Sequence, residues 1–239
     1  SYWQTTAQAI NTNEVKSDLN TDVTIIGAGY TGLSCAIELA QSGISNITVI
    51  DANHIGWGCS SRNAGFVLPG SGRLSYQELV QRFGKAETSN LHEQYMSAIS
   101  LVERRIANLS NQADRTETGY LKLAHSKAWF NKLINSADYL KNNFDYDVEV
   151  IDREHFNNNY VNHEQVYGAI RYKNGFGINP LKLINHYAHL ASELGVKVYS
   201  NSPALQITKT DKGLHQVITP NGVIRSQKLV IATNGYTPK

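Results

Sequence analysis

The sequence predicts an α/β fold: a parallel sheet with a β-meander, interrupted by part of an α+β domain. Near the start of the chain, a β-branched strand at 23–26 is followed by apolar residues three and four apart over 33–40. A second β-branched strand then covers 46–51. Later, a helix–strand pair over 180–199 precedes three short strands over 204–234. Strands that alternate with helices indicate a parallel sheet, and consecutive strands indicate a meander.

These signals divide the chain into three segments. We predict that residues 1–85 and 176–239 form one domain in two pieces, and that residues 86–175 belong to an inserted domain. The inserted segment opens with a long amphipathic helix from Leu91 to Leu109, and a second helix covers 129–140. Its strands are predicted at 119–126, 146–152 and 167–175, the last two around a polar, asparagine-rich connection.

Helix ends and one turn are marked by particular residues. Gly43 and Gly195 are expected to end the first and last helices. Asn179-Pro180 is expected to open the last helix, because proline suits the first helical position. The pair Asn221-Gly222 predicts a hairpin in the meander.

A glycine motif, GAGYTG at 27–32, joins the first strand to the first helix. Gly27 permits a tight turn, Gly29 lets a pyrophosphate approach the backbone, and Gly32 lets the helix lie close to the strand. The N–H groups at the helix start favour an anion. A plain βαβ packing unit is the alternative interpretation, but the pattern favours a Rossmann-like unit that binds an adenine dinucleotide.

An acidic residue, Asp51, ends the second strand. A carboxylate there accepts hydrogen bonds from both ribose hydroxyls and repels a 2′-phosphate, which disfavours NADP. NAD and FAD remain equally possible on these residues. The loop at 54–70 has neither helical nor strand periodicity and carries several donors. Such a loop favours a cofactor that extends beyond its pyrophosphate to another ring system.

Composition sets outer limits. The 239 residues are 41% hydrophobic, which is enough for a substantial core, and 22 basic against 20 acidic residues imply no nucleic-acid partner. No apolar run approaches the ~20 residues of a membrane span, so we expect a cytoplasmic protein. Cys35 and Cys59 do not suggest a disulfide framework. No metal site is predicted, because His186 and His189 fall off the apolar face of their helix.

Four features, in family order, resemble the FAD-dependent amine and amino-acid oxidoreductases of the D-amino-acid oxidase superfamily, closest to the γ-glutamylputrescine oxidase-like branch. They are DVTIIGAGYTGLSCAIELA followed by Asp51, GWGCSSRNAG, GINPLKLINHYAHLASELGVKVYSNSPALQI and LVIATNGYTP. Within the second feature, Cys59, Ser61 and Ala64 depart from the branch's pattern of alanine and glycines.

The resemblance implies FAD as the cofactor, an FAD-binding domain formed by residues 1–85 and 176–239, and a substrate-domain segment at 86–175. The residues that it implies for FAD binding are Gly27, Ala28, Gly29, Tyr30, Thr31, Gly32, Asp51, Ala52, Ser60, Ser61, Arg62, Asn63, Gly65, Ala204, Thr233, Asn234 and Gly235. Arg62 and Asn63 are either surface loop residues or donors near the flavin or an anionic substrate group. For Cys59 we favour a structural role over a covalent bond to the flavin.

The resemblance also implies a reaction: oxidation of an amine or amino acid to an imine by hydride transfer to flavin N5, followed by hydrolysis. Oxygen or another acceptor would reoxidise the flavin. A non-catalytic flavin-binding fragment or subunit and an NAD-dependent dehydrogenase are the alternatives. No catalytic residue is assigned.

The resemblance covers only the N-terminal part of such an enzyme, because the family continues well beyond the ATNGY motif. We therefore expect the 239 residues to be incomplete as a catalyst, with a flavin site that is open or empty.

Overall fold

The computed structural model describes residues 1–70, 72–109, 112–146 and 148–237. Asp147, in the strand predicted at 146–152, and Pro238 and Lys239, at the end of the last motif, lie outside these residues. The chain forms two compact units: unit 1 is residues 1–64 with 179–239, and unit 2 is residues 65–178.

The helices and strands alternate along the chain. In chain order they are β1 (Leu19–Ile26), α1 (Tyr30–Gln41), β2 (Ile47–Ile50), β3 (Phe66–Val67), α2 (Tyr76–Ile106), β4 (Tyr120–Ala124), α3 (Lys127–Phe144), β5 (Val148–Asp152), α4 (Arg153–Asn159), β6 (Gly168–Tyr172), β7 (Phe176–Gly177), α5 (Pro180–Glu193), β8 (Lys197–Tyr199), β9 (Gln206–Lys209), β10 (His215–Thr219) and β11 (Gly222–Ile231). The predicted α/β class is confirmed.

Unit 1 is built on a six-stranded sheet of order β8-β2-β1-β11-β10-β9. The strands β8, β2, β1 and β11 run parallel, and β9 and β10 continue from β11 as an antiparallel meander. Helix α1 packs against α5, and Leu33, Ile37 and Ile184 are fully buried. Ile26 and Val217 belong to a second apolar cluster. The carboxyl ends of β1, β2 and β11 therefore rest on a buried, well-packed sheet.

The N-terminal arm (residues 1–18) runs along unit 1. A short 3-10 turn at Tyr2–Thr5 contacts α5, and the next residues hydrogen-bond to several loops of the unit. Val15 is buried in the second apolar cluster, with Ile26, Ile50, Val217 and Ile224. The arm is thus part of the packed unit, as its polar sequence between apolar positions allows.

Unit 2 contains the antiparallel sheet β4-β6-β5 and the short pair β3-β7. Helix α3 packs on one face of the three-stranded sheet through Leu133, Ala137 and Leu140. Phe156 of the short helix α4 belongs to a separate apolar cluster with Ile151 and Ala169.

The first and last helices end as predicted. Gly43 (φ 92°) follows α1 and Gly195 (φ 83°) follows α5, both in the left-handed region that glycine adopts at low cost. At the start of α5, the side-chain oxygen of Asn179 accepts from the N–H of Leu181 at 3.1 Å and of Lys182 at 3.2 Å. Pro180 occupies the first helical position.

The sequence prediction was wrong about the start of α2. The helix begins at Tyr76 rather than at Leu91, and it is interrupted at Gly84 (φ 83°, ψ 165°). Ser75 and Glu78 form a reciprocal capping box, in which the Ser75 hydroxyl accepts from the Glu78 N–H at 3.2 Å. The apolar face over 91–109 reports only the part of the helix beyond the interruption.

Two further local predictions need correction. The asparagine-rich connection contains α4, which the Asp152 side chain caps by accepting from the His155 N–H at 2.8 Å. The meander hairpin is present, but its loop is Pro220-Asn221, because Thr219 pairs with Gly222. A Cβ at Gly222 would collide with the backbone of Ser17, so glycine is needed there for close packing rather than for the turn.

The first domain boundary predicted from sequence, after residue 85, lies within α2. The compact unit 2 begins at Gly65, because β3 pairs with β7 (Phe66 with Gly177). How these units correspond to the domains of a longer protein stays a prediction. Over the described parts of the chain, none of the helices combines the length and the apolar character needed to span a lipid bilayer.

Candidate functional site

A cavity of about 650 Å³ lies in unit 1, at the carboxyl ends of the parallel strands. This is where α/β sheets bind their ligands. Its lining combines the glycine motif, the residues after β2 and the chain that leaves β11. The lining residues are Ile26, Gly27, Ala28, Gly29, Tyr30, Thr31, Asp51, Ala52, Asn53, Gly56, Trp57, Gly58, Cys59, Ser60, Asn63, Pro203, Ala204, Ile207, Ile231, Ala232, Thr233, Asn234, Tyr236 and Thr237.

The glycines of the motif are required by close backbone contacts. Gly27 has φ 107°, and a Cβ there would lie 2.7 Å from the carbonyl oxygen of Ala232. A Cβ on Gly32 would collide with the carbonyl oxygen of Gly27 and approach Ile25 Cγ2 to 3.3 Å. The predicted tight turn at Gly27 and close helix packing at Gly32 are therefore present.

Gly29 is the N-cap of α1, and no side chain caps the helix at this residue. Its backbone is extended (φ −86°) and lines the cavity. A Cβ on Gly29 would lie 2.9 Å from Ser60 Oγ. Ser60 Oγ accepts from the N–H of Tyr30 at 3.1 Å. Because the helix dipole and the first-turn N–H groups favour an anion, this end of α1 is suited to phosphate oxygens.

The carboxylate of Asp51 lies beside the glycine motif. Its Oδ2 accepts from the N–H of Ala28 at 2.8 Å, and its Oδ1 accepts from the N–H of Asn53 at 3.0 Å. The Asp51 backbone is held as well, because its N–H donates to Tyr199 O at 2.9 Å and its carbonyl accepts from Ser202 N–H at 2.8 Å. An ionised carboxylate has about four acceptor positions. Asp51 is therefore fixed in place with capacity left for two ribose hydroxyls.

The loop after β2 folds back over the motif as a short 3-10 turn at Cys59–Ser61. Asn63 Nδ2 donates to the carbonyls of Cys59 and Ser60, both at 3.1 Å, which closes the turn. Ser61 is buried, and its hydroxyl donates to Gly56 O. At this position, where the related branch has glycine, the serine side chain supplies an internal hydrogen bond.

Arg62 is exposed, and its guanidinium carbon lies 4.9 Å from the centre of the Trp57 ring. The contact is a cation–π interaction at the surface of the loop. Trp57 itself lines the cavity, whereas Arg62 is not among the lining residues described above. Of these two loop residues, Asn63 therefore lines the cavity and Arg62 does not.

The chain that leaves β11 closes the opposite side of the cavity. Asn234 has φ 49° within a 3-10 turn, and the hydroxyls of Thr233 and Thr237 are 2.6 Å apart. Tyr236 packs edge-to-face on Trp57, with ring centres 5.7 Å apart. Two loops far apart in sequence are therefore joined at one aromatic contact.

Cys59 contributes an exposed thiol to the cavity wall, with Sγ 3.3 Å from Tyr236 Oη. This hydrogen bond, together with desolvation, raises the pKa of the Tyr236 hydroxyl above its usual value. A structural role for Cys59 agrees with this contact, and the choice between that role and a covalent bond to flavin stays open.

Tyr30 anchors the start of α1 to α5. Its hydroxyl donates to Pro180 O at 2.9 Å, and its ring meets Tyr187 edge-on at 6.0 Å. Burial raises the pKa of the Tyr30 hydroxyl well above the ordinary tyrosine value. Tyr30 is therefore a neutral hydrogen-bond donor at any physiological pH.

The cavity brings together twelve of the seventeen residues predicted to bind cofactor. They are Gly27, Ala28, Gly29, Tyr30, Thr31, Asp51, Ala52, Ser60, Asn63, Ala204, Thr233 and Asn234. Gly32, Ser61, Arg62 and Gly235 lie in unit 1 but are not among the lining residues, and Gly65 belongs to unit 2. The assignment of all seventeen residues to the cofactor stays a prediction.

Sequence reasoning missed two aromatic wall residues, Trp57 and Tyr236. Both stood inside motifs quoted for the family, GWGCSSRNAG and LVIATNGYTP, so the motifs themselves carried a signal. What the sequence could not show is that the two rings meet.

His186 and His189 lie on α5, and His189 is exposed. Over the ranges that the structure describes, no three histidine, cysteine or acidic side chains are grouped closely enough to hold a metal ion.

Comparison with known proteins bears on this site. The model of the family described as FAD dependent oxidoreductase (DAO) matches residues 22–239. The probable oxidoreductase OrdL of Haemophilus influenzae is 27% identical over 90% of this chain and 49% of its own length. The γ-glutamylputrescine oxidoreductase of Escherichia coli is 26% identical over 93% of this chain and 51% of its own length.

A solved structure shows the same fold. Glycine oxidase from Bacillus cereus superposes with a TM-score of 0.69 at 21% identity, over 89% of this chain and 55% of that chain. The chain thus spans about half the length of the curated relatives that it matches.

The family match begins at Asp22, just before the glycine motif, and runs through the chain that closes the cavity. It confirms the predicted relationship and FAD as the cofactor of the family. With nearly all of its residues inside that match, the chain belongs to the FAD dependent oxidoreductase family.

Proposed function

We propose that this chain forms the FAD-binding part of an oxidoreductase that oxidises an amine or amino acid to an imine, which water then hydrolyses. The observation that carries the proposal is the meeting of the glycine motif, Asp51 and the chain at 231–237 around one cavity. The family match decides between FAD and NAD in favour of FAD.

The residues present fit an adenine dinucleotide. The bare backbone at Gly27 and Gly29 leaves room beside the N-terminus of α1, where the N-cap residue Gly29 has no side chain and Ser60 Oγ accepts the N–H of Tyr30. The Asp51 carboxylate lies next to this backbone, because it accepts the N–H of Ala28, the residue between the two glycines. Its remaining acceptor positions are available to a ligand. The volume of about 650 Å³ lies within the range of small-molecule sites, about 300–1,000 Å³.

In this proposal, bound FAD would accept a hydride equivalent from the substrate carbon next to nitrogen. The residues of this chain hold and orient. The start of α1 receives the pyrophosphate, and Asp51 accepts from the ribose hydroxyls. Trp57 and Tyr236, whose rings meet edge-to-face, would form an aromatic part of the cavity wall.

The chain offers few proton-transfer groups at the cavity. Among the described lining residues, those with titratable side chains are Tyr30, Asp51, Cys59 and Tyr236. Tyr30 and Asp51 are already committed to hydrogen bonds with the protein backbone. We therefore propose that the substrate reacts as a neutral amine, and that none of the described side chains lining this cavity serves as its general base.

The substrate class is supported by the names of the relatives. The similar proteins include a γ-glutamylputrescine oxidoreductase, and the superposed structures include a glycine oxidase and an L-proline dehydrogenase. Their named substrates share an amine nitrogen. Oxygen or another acceptor would complete the cycle.

The first test is whether the purified chain binds FAD, read from the visible absorbance of bound flavin. The second is anaerobic mixing of the FAD-loaded protein with a polyamine derivative, glycine or proline. Bleaching of the flavin by one of them is expected. If the protein remains free of flavin when FAD is supplied, the proposed cavity assignment is wrong.

A second candidate is a flavin-binding part without activity of its own. The chain spans about half the length of the curated relatives that it matches, so activity of the whole protein is itself a proposal. FAD binding without bleaching by any of the amines would support it over the catalytic proposal.

A further inference from the structure

The N-terminal arm lies entirely outside the family match, which begins at Asp22. It nevertheless hydrogen-bonds to both sequence segments of unit 1. Thr6 Oγ1 accepts from Asn179 Nδ2 at 2.8 Å, and the N–H of Val15 donates to Ser202 Oγ at 2.9 Å. These contacts fix the arm to α5 and to the loop after β8.

Two other arm contacts fall on the cavity loop, defined as residues 55–63. At one end, the N–H of Ile55 donates to Ile10 O at 3.3 Å. At the other end, the indole N–H of Trp3 donates to Asn63 O at 2.8 Å. The arm thus holds the cavity loop at both ends. Between these two anchors lie the cavity-lining residues Gly56, Trp57, Gly58, Cys59 and Ser60.

The Trp3 anchor continues inward through a series of hydrogen bonds. Asn63, whose carbonyl Trp3 holds, uses its side-chain amide to close the turn that carries Ser60. Ser60 Oγ in turn accepts the N–H of Tyr30 at the start of α1. Trp3 is therefore linked through Asn63 and Ser60 to the helix end where phosphate oxygens are expected.

We propose that the arm is a strap that positions the cavity loop for FAD, and that Trp3 is its positioning residue. This inference rests on the proposed function, because it takes the cavity as the FAD site. Trp3 does not line the cavity itself. It acts by holding the Asn63 carbonyl and hence the turn at Cys59–Ser61.

Trp3→Phe is the decisive variant, since it keeps an aromatic ring and removes the indole N–H. One uncharged hydrogen bond changes an equilibrium by about two- to tenfold. We expect FAD to dissociate from the loaded variant about two- to tenfold faster than from the wild type after dilution. The recovery of flavin fluorescence measures the dissociation rate. The visible circular dichroism of bound FAD is expected to change as well.

Tyr2→Phe is the matched control. It removes one hydroxyl from the neighbouring, 72% exposed aromatic residue and should leave FAD dissociation unchanged. The melting temperature of each variant without FAD separates positioning from general stabilisation. Faster FAD loss with an unchanged melting temperature supports the strap.

An unchanged FAD dissociation rate in Trp3→Phe overturns the strap. A lower melting temperature of FAD-free Trp3→Phe than of the FAD-free wild type overturns it as well, because the effect would then be general destabilisation. These outcomes leave the cavity assignment standing if Gly29→Val still abolishes FAD binding. If the wild-type chain binds no FAD, the proposed function fails first and the strap fails with it.

Discussion

At the scale of single residues, the site combines backbone that must be bare with one carboxylate that must be fixed. A side chain at Gly27 would collide with the backbone of Ala232, and one at Gly32 with the motif's own turn. The spacing of the glycines in the sequence predicted both roles. Asp51 was predictable from its place at the end of β2. Its two bonds to backbone N–H groups were not, because they depend on how the loops close.

Asp51→Ala is expected to weaken FAD binding by roughly 1–3 kcal/mol, because a charge-assisted hydrogen bond to ribose is lost. Titration of the FAD-free protein with FAD measures the change. Asp51→Asn keeps the size of the side chain, and its FAD affinity should lie between those of Asp51→Ala and the wild type. Asp211→Ala, an exposed residue in the turn before β10, is the control and should bind as the wild type does. Equal FAD affinity in Asp51→Ala would remove the carboxylate from the site.

Gly29→Val is expected to fold and to lose FAD. The residue has ordinary extended backbone angles, so a side chain does not strain the chain itself. Its Cβ would lie 2.9 Å from Ser60 Oγ, and its methyl groups would occupy the phosphate position. Lys212→Val is the control, because it places the same side chain at an exposed position in the turn before β10, outside the cavity lining. The flavin content of purified protein decides, and full loading of Gly29→Val would place the phosphates elsewhere.

At the scale of elements, periodicity located those helices and strands that bury one face. It found β1, α1, β2 and α5, whose apolar residues pack on the sheet of unit 1. It missed the first part of α2 and all of α4, because these segments depend on polar caps more than on an apolar stripe. The capping pair Ser75 and Glu78 was the signal that could have found the helix start.

Helix α2 carries a hydrogen bond across its own interruption. The hydroxyl of Tyr76, before Gly84, lies 2.7 Å from Nδ1 of His92, after it. The His92 ring also packs near Phe144 and Tyr146, with centres 6.1 and 5.2 Å away. This burial lowers the pKa of His92 below its usual value of 6.5, with Glu93 opposing the shift.

Because the pKa of His92 is lower in the folded protein, the neutral ring favours folding. The free energy of unfolding should therefore be highest above pH 6.5 and should fall as the pH drops from 6.5 to the folded-state pKa. Urea unfolding on both sides of that value measures it. His92→Gln, which cannot titrate, should lose part of this dependence, and the exposed His189→Gln should keep it. A pH dependence that is the same in all three proteins contradicts the assignment.

At the scale of the whole molecule, the cavity is built from one of the two compact units. Every described residue that lines the cavity belongs to unit 1, although unit 1 is built from two distant stretches of sequence. The order of motifs predicts that the stretches on either side of the inserted segment form one domain, and for the protein's domains this stays a prediction. The actual boundary at Gly65 could not be read from sequence, because it depends on the pairing of β3 with β7.

FAD should therefore slow amide exchange locally. We expect protection in three stretches of unit 1, at 26–32, 51–63 and 231–237, when FAD is added. The internal control is α3 of unit 2, whose amides should exchange at an unchanged rate. Hydrogen–deuterium exchange followed by mass spectrometry measures both. Protection confined to unit 2 would show that the cavity is not where FAD binds.

The pairing of β1 with β11 has a consequence for synthesis on the ribosome. Leu19 lies opposite Ile224 and Ile26 opposite Ile231, so β1 pairs with a strand that is translated about ten to forty seconds later. During that interval unit 2 can fold from its own residues, whereas β1 retains an open edge that invites aggregation. Arrested nascent chains that end before β11 should protect unit 2 from protease and leave β1 sensitive. Newly made protein should thus depend on chaperones chiefly during the seconds before β11 emerges.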